Sequence, residues 1–195
     1  MLRRLAERGD TLIEVMLSVV VLSAVTLGGF SIMNKGIGVS YGVLERTETR
    51  AVVGQQLELL TYLRDQYAQA AASGSGEGLY PATLWTDIRN NRTSADTANA
   101  TAPNSCVPST DSFFIEQNTA PSTTYKLTNY TARTPLTTPK AGTGSNDGGL
   151  WIEAVVSKDT ETTISYIDFY VKACWDSTVG GEKETISSTV RLYDR

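Results

Sequence analysis

The chain has no histidine among its 195 residues, only two cysteines, and a charged fraction of 19%. Without histidine, the commonest general base, the base of catalytic triads and the commonest zinc ligand are all missing. With 17 Lys and Arg against 21 Asp and Glu, the formal charge is −4 and the pI is about 4.9. That balance lacks the basic footprint of a nucleic-acid binder, and no nucleic-acid partner is expected. The charged fraction lies below the usual quarter, as expected if one segment sits in lipid. Mean hydropathy is −0.17, so the remainder must be polar. No phosphate-cradling glycine loop, Gly-x-Ser-x-Gly elbow or metal-ligand spacing occurs. Asn146-Asp147-Gly148-Gly149 lacks the spaced acids and closing Glu of a calcium loop and reads as a turn. The expectation is a protein that is not an enzyme, with no catalytic residue, cofactor or metal.

What the chain does have is a long uncharged run near its start. Val15 to Met33 is about 19 residues without a charge, close to the roughly 20 that cross a bilayer as a helix. Val19-Val20-Val21-Leu22 and Val25 make it apolar all round, the pattern of a helix in lipid. Arg3, Arg4 and Arg8 precede it. By the positive-inside rule they hold the N-terminus in the cytoplasm and send the rest outward. Glu14 sits just inside the span, where a carboxylate needs a partner or a route to water. A cleaved secretory signal is one alternative, but its apolar region is normally about 7–15 residues and ends at a small-residue site. An ordinary single-span anchor is another; it explains length and orientation and gives no reason for Glu14.

The basic leader, Gly9, and Thr11-Leu12-Ile13-Glu14-Val15 ahead of the span resemble the class III signal of type IV pilins and pseudopilins over residues 3 to about 35. The resemblance implies a leader, residues 1–9, cut after Gly9 by a prepilin peptidase, which frees the amine of Asp10. It implies that residues 10–33, among them Asp10, Leu12, Ile13 and Glu14, bring the subunit into a helical filament with other copies or other pilin subunits. Glu14 would pair with the N-terminal ammonium of a neighbour, since a desolvated carboxylate is stabilised by an equally desolvated, well-placed cation. Most family members carry Phe where this chain has Asp10, and many have a Pro where it has Ser31.

Beyond the span, Gly36, Gly38 and Gly42 make Asn34–Gly42 the least helix-prone stretch, either a joint or helix held by neighbours. Val53, Leu57, Leu60, Leu63, Tyr67 and Ala71 then recur at three- and four-residue steps, which predicts one docking face over residues 34–72. Glu45, Arg46, Glu48, Arg50, Arg64 and Asp65 read as a solvated face. Ala72-Ser73-Gly74-Ser75-Gly76 is a stop signal. Residues 73–110 form a connecting region, with a helical turn turning Leu84, Trp85 and Ile88 inward and a polar loop over Asn90–Ser105.

Residues 111–195 read as an antiparallel sheet. Its candidate strands are Phe113–Ile115, Tyr125–Tyr130, Leu150–Val156, Thr163–Trp175 and Thr185–Tyr193. In the clearest, Ile167, Phe169, Val171, Ala173 and Trp175 share one face, while Tyr166, Asp168, Tyr170, Lys172 and Cys174 take the other. The fold class is therefore α+β, a long helix half in the membrane and half on the sheet, which matches the pilin-like fold. If the sheet region is exported, Cys106 and Cys174 would form a disulfide worth roughly 4 kcal/mol by chain entropy; two buried thiols are the alternative. Asn91, Asn99 and Asn129 head glycosylation-type triplets, which arise readily by chance in so Thr- and Asn-rich a chain. The functional expectation is a structural subunit of a type IV pilus or related filament, held in the cytoplasmic membrane before assembly and at the cell surface after it. The alternatives are a membrane-anchored surface-binding or adhesion domain and a secretion or competence pseudopilin.

Overall fold

A computed structural model describes residues 7–74, 79–91, 93–94, 106–117, 125–129, 149–160, 163–177 and 183–193. The chain opens with one continuous helix, α1, Glu7–Ala72. It is helical through Gly36, Gly38 and Gly42. It ends where the sequence signals a stop. Gly74 takes φ +64°, and the Ser73 and Gly74 amides donate back to the carbonyls of Gln69 and Ala71. Such a left-handed residue past the last turn satisfies carbonyls that would otherwise lack a donor.

The chain divides into two compact units, Met1–Val43 and Leu44–Arg195. The second contains the rest of α1, the short helix α2 (Ala82–Asn91) and six strands: β1 (Thr93–Ser94), β2 (Phe113–Gln117), β3 (Tyr125–Asn129), β4 (Gly149–Thr160), β5 (Thr163–Asp176) and β6 (Lys183–Tyr193). The sheet runs β3-β2-β4-β5-β6 with antiparallel pairing throughout this path. The short β1 pairs in parallel with β4 at Thr93↔Ala154 and Ser94↔Val155. Because β5 occupies the full length of one edge of β4, β1 and β2 share the other. The sequence reading placed β1 inside a polar loop; two residues with no apolar side chain carry no strand signal.

One face of the sheet packs on the second half of α1. On the strands, Ile152↔Val171, Ala154↔Phe169 and Val156↔Ile167 pair across β4 and β5, and Phe169↔Val190 and Ile167↔Leu192 across β5 and β6. On the helix, Thr49, Val53, Gln56, Leu60, Leu63 and Tyr67 are buried, with steps of four and three residues that keep one stripe inward. Leu60 and Leu63 are fully buried, each contributing about 2 kcal/mol of apolar transfer. The expected stripe is therefore right at Val53, Leu60, Leu63 and Tyr67. Leu57, beside the inward-facing Gln56, is half-buried, and Ala71, near the end of the helix, is exposed. Trp85 and Ile88 of α2 are fully buried, with the Trp85 ring 5.6 Å from that of Phe169.

Gln56 has a specific task. Its Nε2 donates to the Ile115 carbonyl at 2.9 Å, and its Oε1 accepts the Ile115 N–H at 3.0 Å. β2 pairs with β4 only at Phe113↔Ile152. Two residues further on, the Gln56 amide supplies the donor and acceptor that a neighbouring strand would supply, so both buried backbone groups stay paired.

The second face of β4 and β5, which carries Lys172 and Cys174, is buried there as well, together with Trp151 and Glu153. Residues 106–112 lie against part of this face, at Cys174 and Glu153, as described next.

Candidate membrane segment and the covered sheet face

The first unit is an apolar helix with its side chains uncovered. From Thr11 to Met33 every residue is exposed, with Leu17 at 65% and Val20 at 67% of full exposure. α1 is the one helix among the described residues long and apolar enough to cross a membrane, and none of its apolar window is buried within the protein. About 19 residues at 1.5 Å each span roughly 28 Å, near the hydrocarbon thickness. Three of its hydroxyls are satisfied within the helix. Ser18 donates to the Glu14 carbonyl at 2.8 Å, Ser23 to Val19 at 2.7 Å and Thr26 to Leu22 at 2.7 Å. In lipid, where no water competes, such internal bonds remove the cost of carrying a hydroxyl. These features fit a single-pass membrane anchor.

Of the residues singled out for processing and assembly, Gly9 and Asp10 lie in the first turns of α1, and their side chains lie outside the described residues. Leu12 and Ile13 are exposed at 62% and 65%. Glu14 is exposed as well, and is the one ionisable residue between Asp10 and Lys35. The leader residues 1–6, the polar loop around Asn99 and the turn at Asn146–Gly148 lie outside the described residues.

The other predicted pair is brought together. Cys106 and Cys174 form a disulfide with Cα atoms 5.7 Å apart, within the range such a bridge requires. It tethers the segment after Cys106 to the second face of the sheet. There Ser109-Thr110-Asp111-Ser112 forms a turn, closed by the Ser112 N–H donating to the Ser109 carbonyl. A hydrogen bond between the two serine hydroxyls braces it at 3.0 Å.

The turn caps a carboxylate. Glu153 Oε1 accepts from the Ser109 N–H at 3.1 Å, from Trp151 Nε1 at 3.2 Å and, more weakly, from the Ser112 hydroxyl at 3.5 Å. Glu153 Oε2 faces Lys172 Nζ at 2.9 Å. Both side chains are almost wholly buried, at 3% and 4% exposed. Removing two charges from water is tolerable only where geometry is good and the remaining lone pairs are satisfied, as they are here. Sequence reasoning missed this network because charges at alternate strand positions resemble a solvated face. The available signal was Cys174, two residues from Lys172 on the same face.

Elsewhere the ion pairs are exposed. Arg46 of α1 grips Glu184 of β6 with two bonds, 2.8 and 3.2 Å. The hydrogen bond from Arg46 holds the Glu184 carboxyl below the usual carboxylate range, against a smaller opposing effect of burial. Arg191 binds Asp168 through two nitrogens at 2.7 and 2.8 Å while stacking 4.0 Å over the Tyr166 ring. The Asp168 hydrogen bond raises the Arg191 guanidinium further above its ordinary value. Arg46 is solvent-exposed, as expected, and also ties helix to sheet. Among the described residues no group of three Cys, Asp or Glu side chains is placed to hold a metal ion.

No family model, curated protein or solved structure matches the chain.

Proposed function

We propose that the protein is a non-enzymatic, pilin-like structural subunit. It is made with the leader 1–9, cut after Gly9 by a prepilin peptidase, and held by one span with its N-terminus on the cytoplasmic side. It then assembles with other copies or other subunits through the apolar half of α1. The observation that carries this reading is the uncovered, charge-free helix from Val15 to Met33 with Glu14 at its head. Lipid covers such a helix while the subunit is alone, and the same surface on neighbouring subunits covers it once the helix leaves the bilayer. Glu14 then needs a partner, and the amine freed at Asp10 of an adjacent copy has the right sign.

Mass spectrometry of the mature N-terminus tests the processing step. A chain beginning at Asp10 is expected, and Gly9→Leu should leave the precursor uncut. A chain that keeps Met1 indicates a plain anchor for a surface domain, and one that begins near Gly29 indicates a secreted domain. For assembly, Glu14→Ala should insert in the membrane normally yet yield no filaments. Normal filament yield from that variant would remove the pairing role.

A further inference from the structure

Resting on the self-assembly proposed above, we infer that a cleft between α1 and β6, at Arg46 and Arg50, receives one carboxylate side chain from a second copy of the chain. Among the described side chains of the sheet-containing unit, Arg46, Arg64, Lys126, Lys172 and Arg191 are each in an ion pair. Arg89 donates to the Tyr67 hydroxyl, and Lys183 has a partner too. Arg50 differs from all of them. It is exposed and has neither a hydrogen bond nor an ion pair among the described residues.

The surroundings of Arg50 are concave. Arg50 follows Arg46 by about one helical turn, so the two project from one side of α1. Together with the β6 residues from Glu184 to Ile186 they line a cleft of about 240 Å3. That is below the roughly 300–1,000 Å3 of small-molecule and cofactor sites, and it suits a single side chain. Arg46 uses Nε and Nη2 on Glu184, which holds the wall beside Arg50 and leaves the Arg50 fork open. The planar set of guanidinium N–H donors matches the two oxygens of a carboxylate. Two guanidinium groups against the one carboxylate of Glu184 leave the cleft with one positive charge in excess. One further carboxylate balances it, and a phosphate dianion overfills it. Ile186, half-buried, offers apolar contact to the methylenes of an acidic side chain.

Charge complementarity selects the occupant. The chain has a formal charge of −4. Loss of the leader, with Arg3, Arg4 and Arg8 against Glu7, removes a net +2 and takes it to −6. Copies of so acidic a chain repel one another unless acids at their contact meet cations. Glu58, Asp111 and Asp176 are exposed, and none has a hydrogen bond or ion pair among the described residues. A second copy therefore brings unpaired carboxylates, and Arg50 is the unpaired cation that meets one. Each copy carries both cleft and acid, so one copy's acid can fill the next copy's cleft in a repeating, head-to-tail contact.

Arg50→Lys turns the cleft into a reporter, because a carbodiimide joins an amine to a carboxylate that it touches. The full chain carrying this change, half of it isotopically labelled, is reconstituted in phosphatidylcholine vesicles, treated with the carbodiimide and read by mass spectrometry. The amine at position 50 should be joined to an acid of a copy with the other isotope content. Without cross-linking, Arg50→Gln should weaken self-association in the same vesicles by about two- to fivefold, the worth of one exposed ion pair. Salt should weaken the parent in the same direction. An amine at position 50 that links only within its own chain overturns the inference, as does unchanged self-association of Arg50→Gln. Links between copies at other lysines, with none at position 50, overturn the cleft and leave the assembly reading standing. No link between copies at any lysine overturns both.

Discussion

α1 contains two helices' worth of chemistry on one backbone. Between Thr11 and Met33 its side chains are mostly apolar and exposed on every side, and between Thr49 and Tyr67 one narrow stripe is buried and the opposite side is more polar. The first half has no periodicity because its intended surroundings are the same in all directions. The second half has periodicity because a sheet lies on one side only. Helix formation is therefore not what distinguishes the halves; the solvent each half is built for is. A mutation should accordingly read out in different experiments depending on where it falls.

The sharpest contrast comes from the buried pair. Lys172→Ala leaves the Glu153 carboxylate without its cation in a dry site and should cost about 3–5 kcal/mol of unfolding free energy. The denaturant midpoint of the sheet-containing unit measures this. The double change Glu153→Met with Lys172→Met should recover most of the loss, and a single variant within about 1 kcal/mol of the parent would refute the account.

Next in size is the core of the second half. Leu60→Ala should destabilise by about 2–5 kcal/mol through lost burial and the cavity left behind. Leu17→Ala, in the first half, should leave the melting temperature of the micelle-bound monomer unchanged and lower only its yield in assembled material. An equal thermal loss from both substitutions would erase the distinction between the halves.

Gln56→Leu fills similar volume and preserves the apolar stripe, yet it strands the Ile115 N–H and carbonyl. We expect a loss of about 1–3 kcal/mol, the penalty for unpaired buried polar groups, with faster amide exchange at Ile115. The smallest effect should come from Arg46→Ala. The Glu184 carboxyl is lowered in the folded state by Arg46, so the pair's contribution is complete above the unfolded carboxylate pKa and fades as pH falls through the depressed folded value. In Arg46→Ala the Glu184 titration, followed by NMR, should move upward, and the acid-side stability difference from the parent should vanish at low pH. Because the pair is exposed, salt should weaken it.

Much of this was legible without coordinates, and the reasons are specific. Ile167, Phe169, Val171 and Ala173 announce a buried strand face by strict alternation, and all are buried. The helix stop at Ala72 follows from the small and glycine residues after it. The two cysteines suggested a bridge from the compartment argument alone. What the sequence concealed was polar. Gln56 lies at helical spacing between Val53 and Leu60, so its inward position was computable, but its partner, the backbone of Ile115, has no side-chain signature. Glu153 and Lys172 are far apart in the chain and sit at positions that a two-sided sheet would give to water. Only knowing that residues 106–112 lie against part of that face reverses the inference. β1 has two residues, too few for any periodic signal.

The Gln56 amide also acts as a vernier for the β2–β3 hairpin. Along an extended strand the backbone groups of successive residues face opposite edges, so the helix can address Ile115 but not Phe114 or Glu116. Sliding β2 by one residue would aim the wrong groups at Gln56 and invert every side chain of the strand. One amide on a helix thereby counts off the alignment of a hairpin that touches its neighbouring strand at a single pair, Phe113 and Ile152.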